Sequence, residues 1–375
     1  MPNGYLIQIV NGKAGLLSLE PEIEQLATQS PQLNPFFAPE WLGAWNSQVG
    51  MVYNPVLLTV RAQDGELVGF WPFVEMPAIL GKGLWPMGYH MADYLDPLYL
   101  HDEPALRVCL IEGLDQLLYD HRFIWLPLLR KEFAQDFLRP YFVRKRQSML
   151  FAPGATRHFI ELGEQSVEEL LQEALGSKSR KTLRYTRKKL EELGQVEFRA
   201  MRGEKEVESF LPEFEHIEDA SWKSSKGTGL FHHLGMREFY QQLLPMMAGS
   251  GRVQLSALLL NQKPIACELA FLIADNYCLH NTSYIPEYAE YSPGRHLLLE
   301  NLQRAADDGL KYIDFMQGDQ MYKQKLGTSS EPIYTVSLFQ KSFVGRLNHF
   351  IIGGIQKRRA ANAMKAKPAK DQVLT

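Results

Sequence analysis

The residues best suited to chemistry gather in one stretch, residues 252–326. The run Tyr291-Ser292-Pro293-Gly294-Arg295 has the composition of a helix start: Ser292 suits the N-cap and Pro293 is pre-set for the first helical position. Gly294 lets a ligand approach the amides of Gly294, Arg295 and His296, which we expect to be unpaired, and Arg295 adds positive charge. Such a terminus suits an anion such as a diphosphate, although an ordinary capped helix reads the same way. Upstream, Glu268 interrupts the apolar strand pattern Ile265–Phe271, where a carboxylate costs free energy unless it is paired or functional. His280, on the next strand, titrates near neutral pH. Tyr284 and Tyr322 carry phenols that can donate a proton or simply pack. Asp319, Tyr322 and Lys323 follow the strand pattern Tyr312–Phe315, where α/β proteins gather ligand groups.

The familiar catalytic signatures are missing. The sequence has no GxxxxGK[ST], no HExxH, no GxSxG, and no GxGxxG after a strand pattern. His232-His233 cannot present both rings on one helical face, so no metal site is expected. Chemistry between two bound substrates, with no covalent nucleophile, leaves such a record.

These residues need a scaffold. Arg252–Leu260 and Pro264–Ile273 read as strands around Asn261-Gln262, and Asn276–Ser283 as a third. Pro293 then starts a helix stopped at Gly309, and Tyr312–Phe315 is a short strand. The N-terminal half has the same order. Val56–Val60 and Leu67–Val74 flank Asp64-Gly65, Pro104 starts a helix reaching Tyr119, and Phe123–Leu126 follows. Its other features are a helix Glu22–Thr28, a Phe/Pro run into Trp41 and Trp45, and an aromatic loop from Trp85 to Tyr94. That loop, with Asp93 and Asp96, suits either a sugar-accepting cleft or packing. The two halves share order but not residues, and β–helix–β is common in any α/β protein. Helices are predicted over Val167–Gly194, Glu204–Lys223 and Met236–Met247, with another from Val344. The reading is a mixed α/β protein with a soft boundary near Gly154, so that residues 1–154 and 155–340 form two units and 341–375 a basic helical tail.

Several motifs in order resemble one family. They are Arg180…Leu183-Arg184…Arg187…Leu190…Gly194, then Trp222-Lys223…Gly229-Leu230-Phe231, Tyr291-Ser292-Pro293-Gly294, and Asp314-Phe315…Gly318-Asp319…Tyr322-Lys323. Over residues 165–335 this pattern is similar to CelD-like acetyltransferases of cellulose and exopolysaccharide biosynthesis, within the GNAT superfamily, and to Fem-type aminoacyl transferases of peptidoglycan bridges. The resemblance implies two tandem GNAT-like units, the first divergent. It implies acetyl-CoA or another acyl-CoA as co-substrate at Ser292, Gly294, Arg295 and His296, and direct attack by an amine or hydroxyl of a sugar- or cell-envelope-related acceptor. One departure is that Ser292-Pro293-Gly294-Arg295 stands where such enzymes carry a Gly-rich phosphate loop. On this reading Glu268, His280 and Tyr322 are the candidate catalytic groups, and Arg180, Arg184, Trp222, Asp319 and Lys323 the candidate substrate contacts. The alternatives are a Fem-like aminoacyl-tRNA-dependent transferase, which lacks the expected coiled-coil heptads here, and a non-catalytic scaffold in polysaccharide synthesis.

Composition bounds the rest. The chain has 375 residues, 45% hydrophobic and 22% charged, enough for about two cored domains. Its net charge is −3. Lys178–Lys189 nevertheless holds seven basic residues and no acidic one, and Lys357-Arg358-Arg359 begins a second basic run. The first run reads as a solvated face, a nucleotide-sugar or tRNA contact, or a membrane-surface contact acting with the tail. Seven charges are too few to predict RNA binding, so no nucleic acid is expected. Arg180 and Arg184, one turn apart, are placed to share a phosphate. Three cysteines without CxxC spacing argue against a disulfide framework or a Cys-based metal site. No apolar run is long enough to span a bilayer and no export signal is visible, so a cytoplasmic setting is expected.

Overall fold

The computed structural model describes residues 4–30, 34–78, 81–100, 103–163, 166–318 and 320–365. Contacts divide the chain into two units, Met1–Ala155 with Glu331–Asp371, and Thr156–Ser330.

In the first unit β1 (Leu6–Asn11) turns at Gly12, at φ 82°, into α1 (Gly12–Gln29). Leu16, Leu19, Ile23 and Leu26 recur at helical spacing along α1 and all are buried. The helix therefore begins well before Glu22, and β1 was not anticipated. After α2 (Pro39–Ala44), β2 (Pro55–Arg61) and β3 (Leu67–Ala78) pair antiparallel around Gly65, which takes φ 94°. Next come β4 (Gly81–Pro86), β5 (Leu98–Tyr99), α3 (Pro104–Asp120), β6 (Phe123–Arg130), α4 (Arg139–Arg144) and the start of β7 (Met149–Glu161).

The second unit opens with α5 (Val167–Ala174) and α6 (Ser177–Glu192). One helix was expected here. The chain instead extends at Leu175 and Gly176, and Arg180 turns back to cap α5, donating to Gln172 O at 2.6 Å and Leu175 O at 2.8 Å. Then follow β8 (Val196–Met201), α7 (Glu204–Ala220), the single turn α8 (Trp222–Ser225) and α9 (Met236–Gly249). The helix expected to reach Lys223 stops earlier because Ser221 is extended, at ψ 155°. β9 (Val253–Leu260) and β10 (Lys263–Ile273) form a tight hairpin, with Asn261 and Gln262 both left-handed at φ 50° and 67°. β11 (Asn276–Tyr284), α10 (Pro293–Asp307), β12 (Tyr312–Gln317) and α11 (Met321–Leu326) complete the unit. β13 (Ser329–Phe339) and α12 (Phe343–Lys365) end the described chain. From Glu331 they belong to the first unit, so the second does not reach 340 and the tail is no separate body.

The strands of the two units follow the same order. The first runs β1-β2-β3-β4-β6-β13, and the second, read the other way, β8-β9-β10-β11-β12-β7. In each, a helix follows the first strand, three antiparallel strands follow that helix, and a Pro-started helix then crosses to a parallel strand. The repeat faint in the sequence is thus plain in the fold, a mixed α/β architecture of two like units. In the second, α10 packs on the sheet through Leu297, Leu298, Leu302 and Ala305, all buried.

Candidate functional site

The site begins where a strand pair comes apart. β11 and β12 are parallel and paired at Asn276↔Tyr312, Tyr277↔Ile313 and Cys278↔Asp314, with no pairing beyond among the described residues. The C-terminal half of β11 therefore presents an unzipped edge. Ile285 N donates to Ile265 O at 2.9 Å, and antiparallel alternation then turns the backbone groups of Thr282 away from β10, into the opening. A gap at the carboxyl ends of parallel strands is where open α/β sheets take their ligands.

The start of α10 lies at this edge. A Cβ added to Gly294 would lie 3.4 Å from the Tyr284 ring and 3.5 Å from the Thr282 methyl. Ser292 occupies the N-cap position in the left-handed region, φ 53°, and its side chain makes no capping bond. Its carbonyl instead accepts from Arg295 N at 3.0 Å and His296 N at 3.2 Å. Two of the three amides expected to be free are thus committed, leaving that of Gly294, which has no intrahelical acceptor. Arg295 is half-buried, and burial lowers its pKa. It lines a groove with Leu183, Leu298, Tyr322, Lys325 and Leu326. His296 points away from any anion: it is buried, bonded through Nε2 to Thr186 Oγ1 at 3.1 Å, and burial lowers its pKa to about 4. It ties α10 to α6 as a neutral ring.

Glu268 is fully enclosed, at 0% exposure. Its carboxylate accepts from Tyr277 Oη at 2.7 Å, Thr282 Oγ1 at 3.0 Å and Asn301 Nδ2 at 2.8 Å. Burial raises its pKa to about 7 despite these donors. A group so enclosed reaches a substrate only through a neighbour, and Thr282, with one face on Glu268 and its backbone toward the gap, is that neighbour. Tyr322, packed edge-on to Phe315 at 6.0 Å, has its pKa raised by burial and then by the charge of Glu268.

The opposite face of the same strands holds a second buried carboxylate, Glu218 of α7, 1% exposed. It accepts from Asn281 Nδ2 at 2.9 Å, from Leu230 N at 2.8 Å and from Ser283 Oγ. Lys223 donates to Asn281 Oδ1 and, at 2.6 Å, to Thr282 O. His280 shares this face, Nε2 2.8 Å from Tyr240 Oη, so two of the candidate catalytic groups, Glu268 and His280, are parted by the sheet.

The remaining candidates are spread out. Arg180 is occupied as the α5 cap, Arg184 is exposed on α6, and Trp222 stacks under Lys226 Nζ at 4.6 Å. Lys323 is buried and donates to Gln317 O at 2.8 Å, closing the end of β12. Asp319 lies outside the described residues. Three groups were missed as site residues: Glu218, Thr282 and Lys223. A signal for Glu218 existed, because its place with Val207, Leu211 and Phe214 puts it on the apolar stripe of α7. Among the described residues no His/Cys/Asp/Glu cluster could hold a metal, and no helix is long and apolar enough to cross a membrane.

Residues 177–324 match the acetyltransferase (GNAT) domain family. The match lies wholly within the second unit and contains α10, the strand gap and both carboxylates. That unit has a GNAT-type acyltransferase fold. Among solved structures, FemX is similar over 84% of this chain and 95% of its own, with a TM-score of 0.60 and 10% identity. The C-terminal domain of a putative lysylphosphatidylglycerol synthetase from Agrobacterium fabrum is similar over 89% and 95%, with a TM-score of 0.56 and 10% identity. L-PGS from Bacillus licheniformis is similar over 90% and 96%, with a TM-score of 0.54 and 12% identity. At such identities the likeness is one of fold. No curated protein sequence matches the chain.

Proposed function

We propose that the second unit transfers an acyl group from acyl-CoA to an amine, or a hydroxyl, of a sugar- or cell-envelope-related acceptor, by direct attack within a ternary complex. The observation that carries this reading is the parting of β11 from β12 beside the start of α10. The unzipped edge of β11 offers backbone groups to the amides of the donor's arm, and the Gly294 amide with Arg295 suits its diphosphate. Holding donor and acceptor together supplies much of the rate, and no covalent nucleophile is required. Glu268, acting through the Thr282 hydroxyl, is placed to draw a proton from the acceptor at neutral pH. The test is a thermal-shift titration with acetyl-CoA. The wild type is stabilised and Gly294→Glu is not; no shift at about millimolar ligand, where a site of that Kd is worth only ~0.4 kcal/mol, would sink the reading.

A second reading keeps the fold and changes the donor to aminoacyl-tRNA, as the sequence resemblance to Fem-type transferases implies. Transfer of a labelled amino acid from charged tRNA would establish it. The finer likeness to CelD-type proteins, a saccharide acceptor, a cytoplasmic setting, and a membrane or synthesis-complex contact through the basic tail belong to the proposal as well. Of that tail, residues 366–375 lie outside the described residues.

A further inference from the structure

A buried lysine normally meets a carboxylate directly, because an unpaired ammonium away from water is costly. Lys223, which is half-buried, departs from this. The nearby Glu218 gives its oxygens to Asn281, Ser283 and the Leu230 amide, and the ammonium rests on two neutral acceptors, Asn281 Oδ1 and Thr282 O. Two acceptors leave one of its three N–H groups unused in the described contacts. The location matters as much as the pairing, since Thr282 O belongs to the edge of β11 that faces the gap. Positive charge is thus held at the edge of β11 that parts from β12.

Acyl transfer from a thioester creates a negative charge there. The acceptor nitrogen forms the new C–N bond, the C–S bond breaks, and its electron pair leaves on sulfur. The proton lost by the nitrogen ends on that sulfur, so the products are an amide and a thiol. We infer that Lys223 is a further catalytic residue, its ammonium stabilising the departing thiolate from its seat on Thr282 O and Asn281. This inference rests on the acyl-CoA reading of the site. A preorganised charge beside a forming anion is the kind of electrostatic device that such a reaction uses most effectively. The groups facing Lys223 are Glu218 from α7 and Cys267 and Glu268 from β10, with Asn281 and Thr282 of β11 in contact. Burial lowers the pKa of Lys223, and Glu218 and Glu268 oppose that shift.

The test needs no acceptor. Calorimetric titrations compare CoA, whose thiol ionises, with acetyl-CoA, whose thioester does not, between about pH 7 and about pH 9. In the wild type CoA gains on acetyl-CoA by about sixfold across that range, which corresponds to a bound thiol whose pKa is about one lower than the free value of about 8.5. The ultraviolet absorbance of the bound thiolate appears at correspondingly lower pH. Lys223→Met loses both effects and still binds acetyl-CoA, whereas Lys223→Arg keeps them. A wild-type ratio that is flat with pH, or a Lys223→Met protein that keeps the trend, overturns the inference. Should Lys223→Met fail to fold, the wild-type ratio and absorbance decide alone. Failure of the wild type to bind either ligand refutes the donor reading instead.

Discussion

Each unit contains a parallel strand pair that separates beside a Pro-started helix, and the two openings are lined differently. In the first unit β4 and β6 pair at Gly83↔Phe123 and Leu84↔Ile124 and then part. The chain itself fills the space. Leu95 N donates to Leu128 O at 3.0 Å, and the enclosed Asp96 accepts from Arg130 N at 2.9 Å and Arg130 Nε at 2.8 Å. Trp85, Tyr89 and Trp125 pack edge to face with centroids 4.3–5.7 Å apart. At the helix start, Glu103 sits at the N-cap of α3, held by Tyr5 Oη at 2.6 Å, and Ala105 replaces a glycine. The second unit has Lys223 at the edge and Gly294-Arg295 at the helix. One fold thus supports a gap filled by its own chain with an anion already at its helix start, and a gap that has Lys223 and Arg295 beside it. Fold alone does not make a site; the residues lining the gap do.

The contrast can be broken from either side. The largest effect belongs to Asp96→Ala, which removes the enclosed carboxylate that holds both the amide and the guanidinium of Arg130. Loss of about 3–5 kcal/mol is expected, read as a fall in the denaturant midpoint, while acetyl-CoA affinity of the folded protein stays within about twofold. On the open side, Gly294→Glu sets a carboxylate where a diphosphate would lie, and acetyl-CoA affinity falls by about a hundredfold or more. An acidic residue in the first helical turn favours α10 itself, so folding is retained. Arg295→Ala is milder, about tenfold in affinity, because the Gly294 amide remains. In the first unit Glu103→Gln changes acetyl-CoA binding by less than about twofold, if its helix start binds no donor.

Two buried groups of the second unit give a smaller, pH-dependent signature. Burial raises Glu268 to about 7 and lowers His296 to about 4. A carboxyl raised on folding contributes stability below its ordinary pKa of about 4.5, lost as pH rises to about 7. An imidazole lowered on folding contributes above about 6.5, and that is lost as pH falls to about 4. The two trends oppose one another in the wild type. Relative to it, Glu268→Gln gains stability with rising pH and His296→Gln loses it, each by on the order of 2–3 kcal/mol across the window, measured by thermal melts.

Much of this was legible in the chain, and unevenly so. The hairpin at Asn261-Gln262, the helix opened by Pro293 and the strand from Tyr312 follow from local signals, turn residues and apolar periodicity. The break at Leu175-Gly176 was not, although Gly176 interrupts the pattern there, since the cap from Arg180 that fixes it is a folded-state contact. Glu268 stood out because one carboxylate interrupts an apolar strand. Lys223 did not, since its meaning depends on a strand gap that exists only once β11 and β12 are laid side by side. The His296 amide expected to be free is not, because the left-handed Ser292 brings its carbonyl within reach of it, a turn that the sequence alone does not reveal.

The central claim is that one gap of the two takes the donor. Isothermal titration of the full chain with acetyl-CoA, repeated for Gly294→Glu and Glu103→Gln, tests it most directly. The expected result is one site per chain, lost in Gly294→Glu and kept in Glu103→Gln. Two sites per chain, or binding that survives Gly294→Glu and fails in Glu103→Gln, would contradict it.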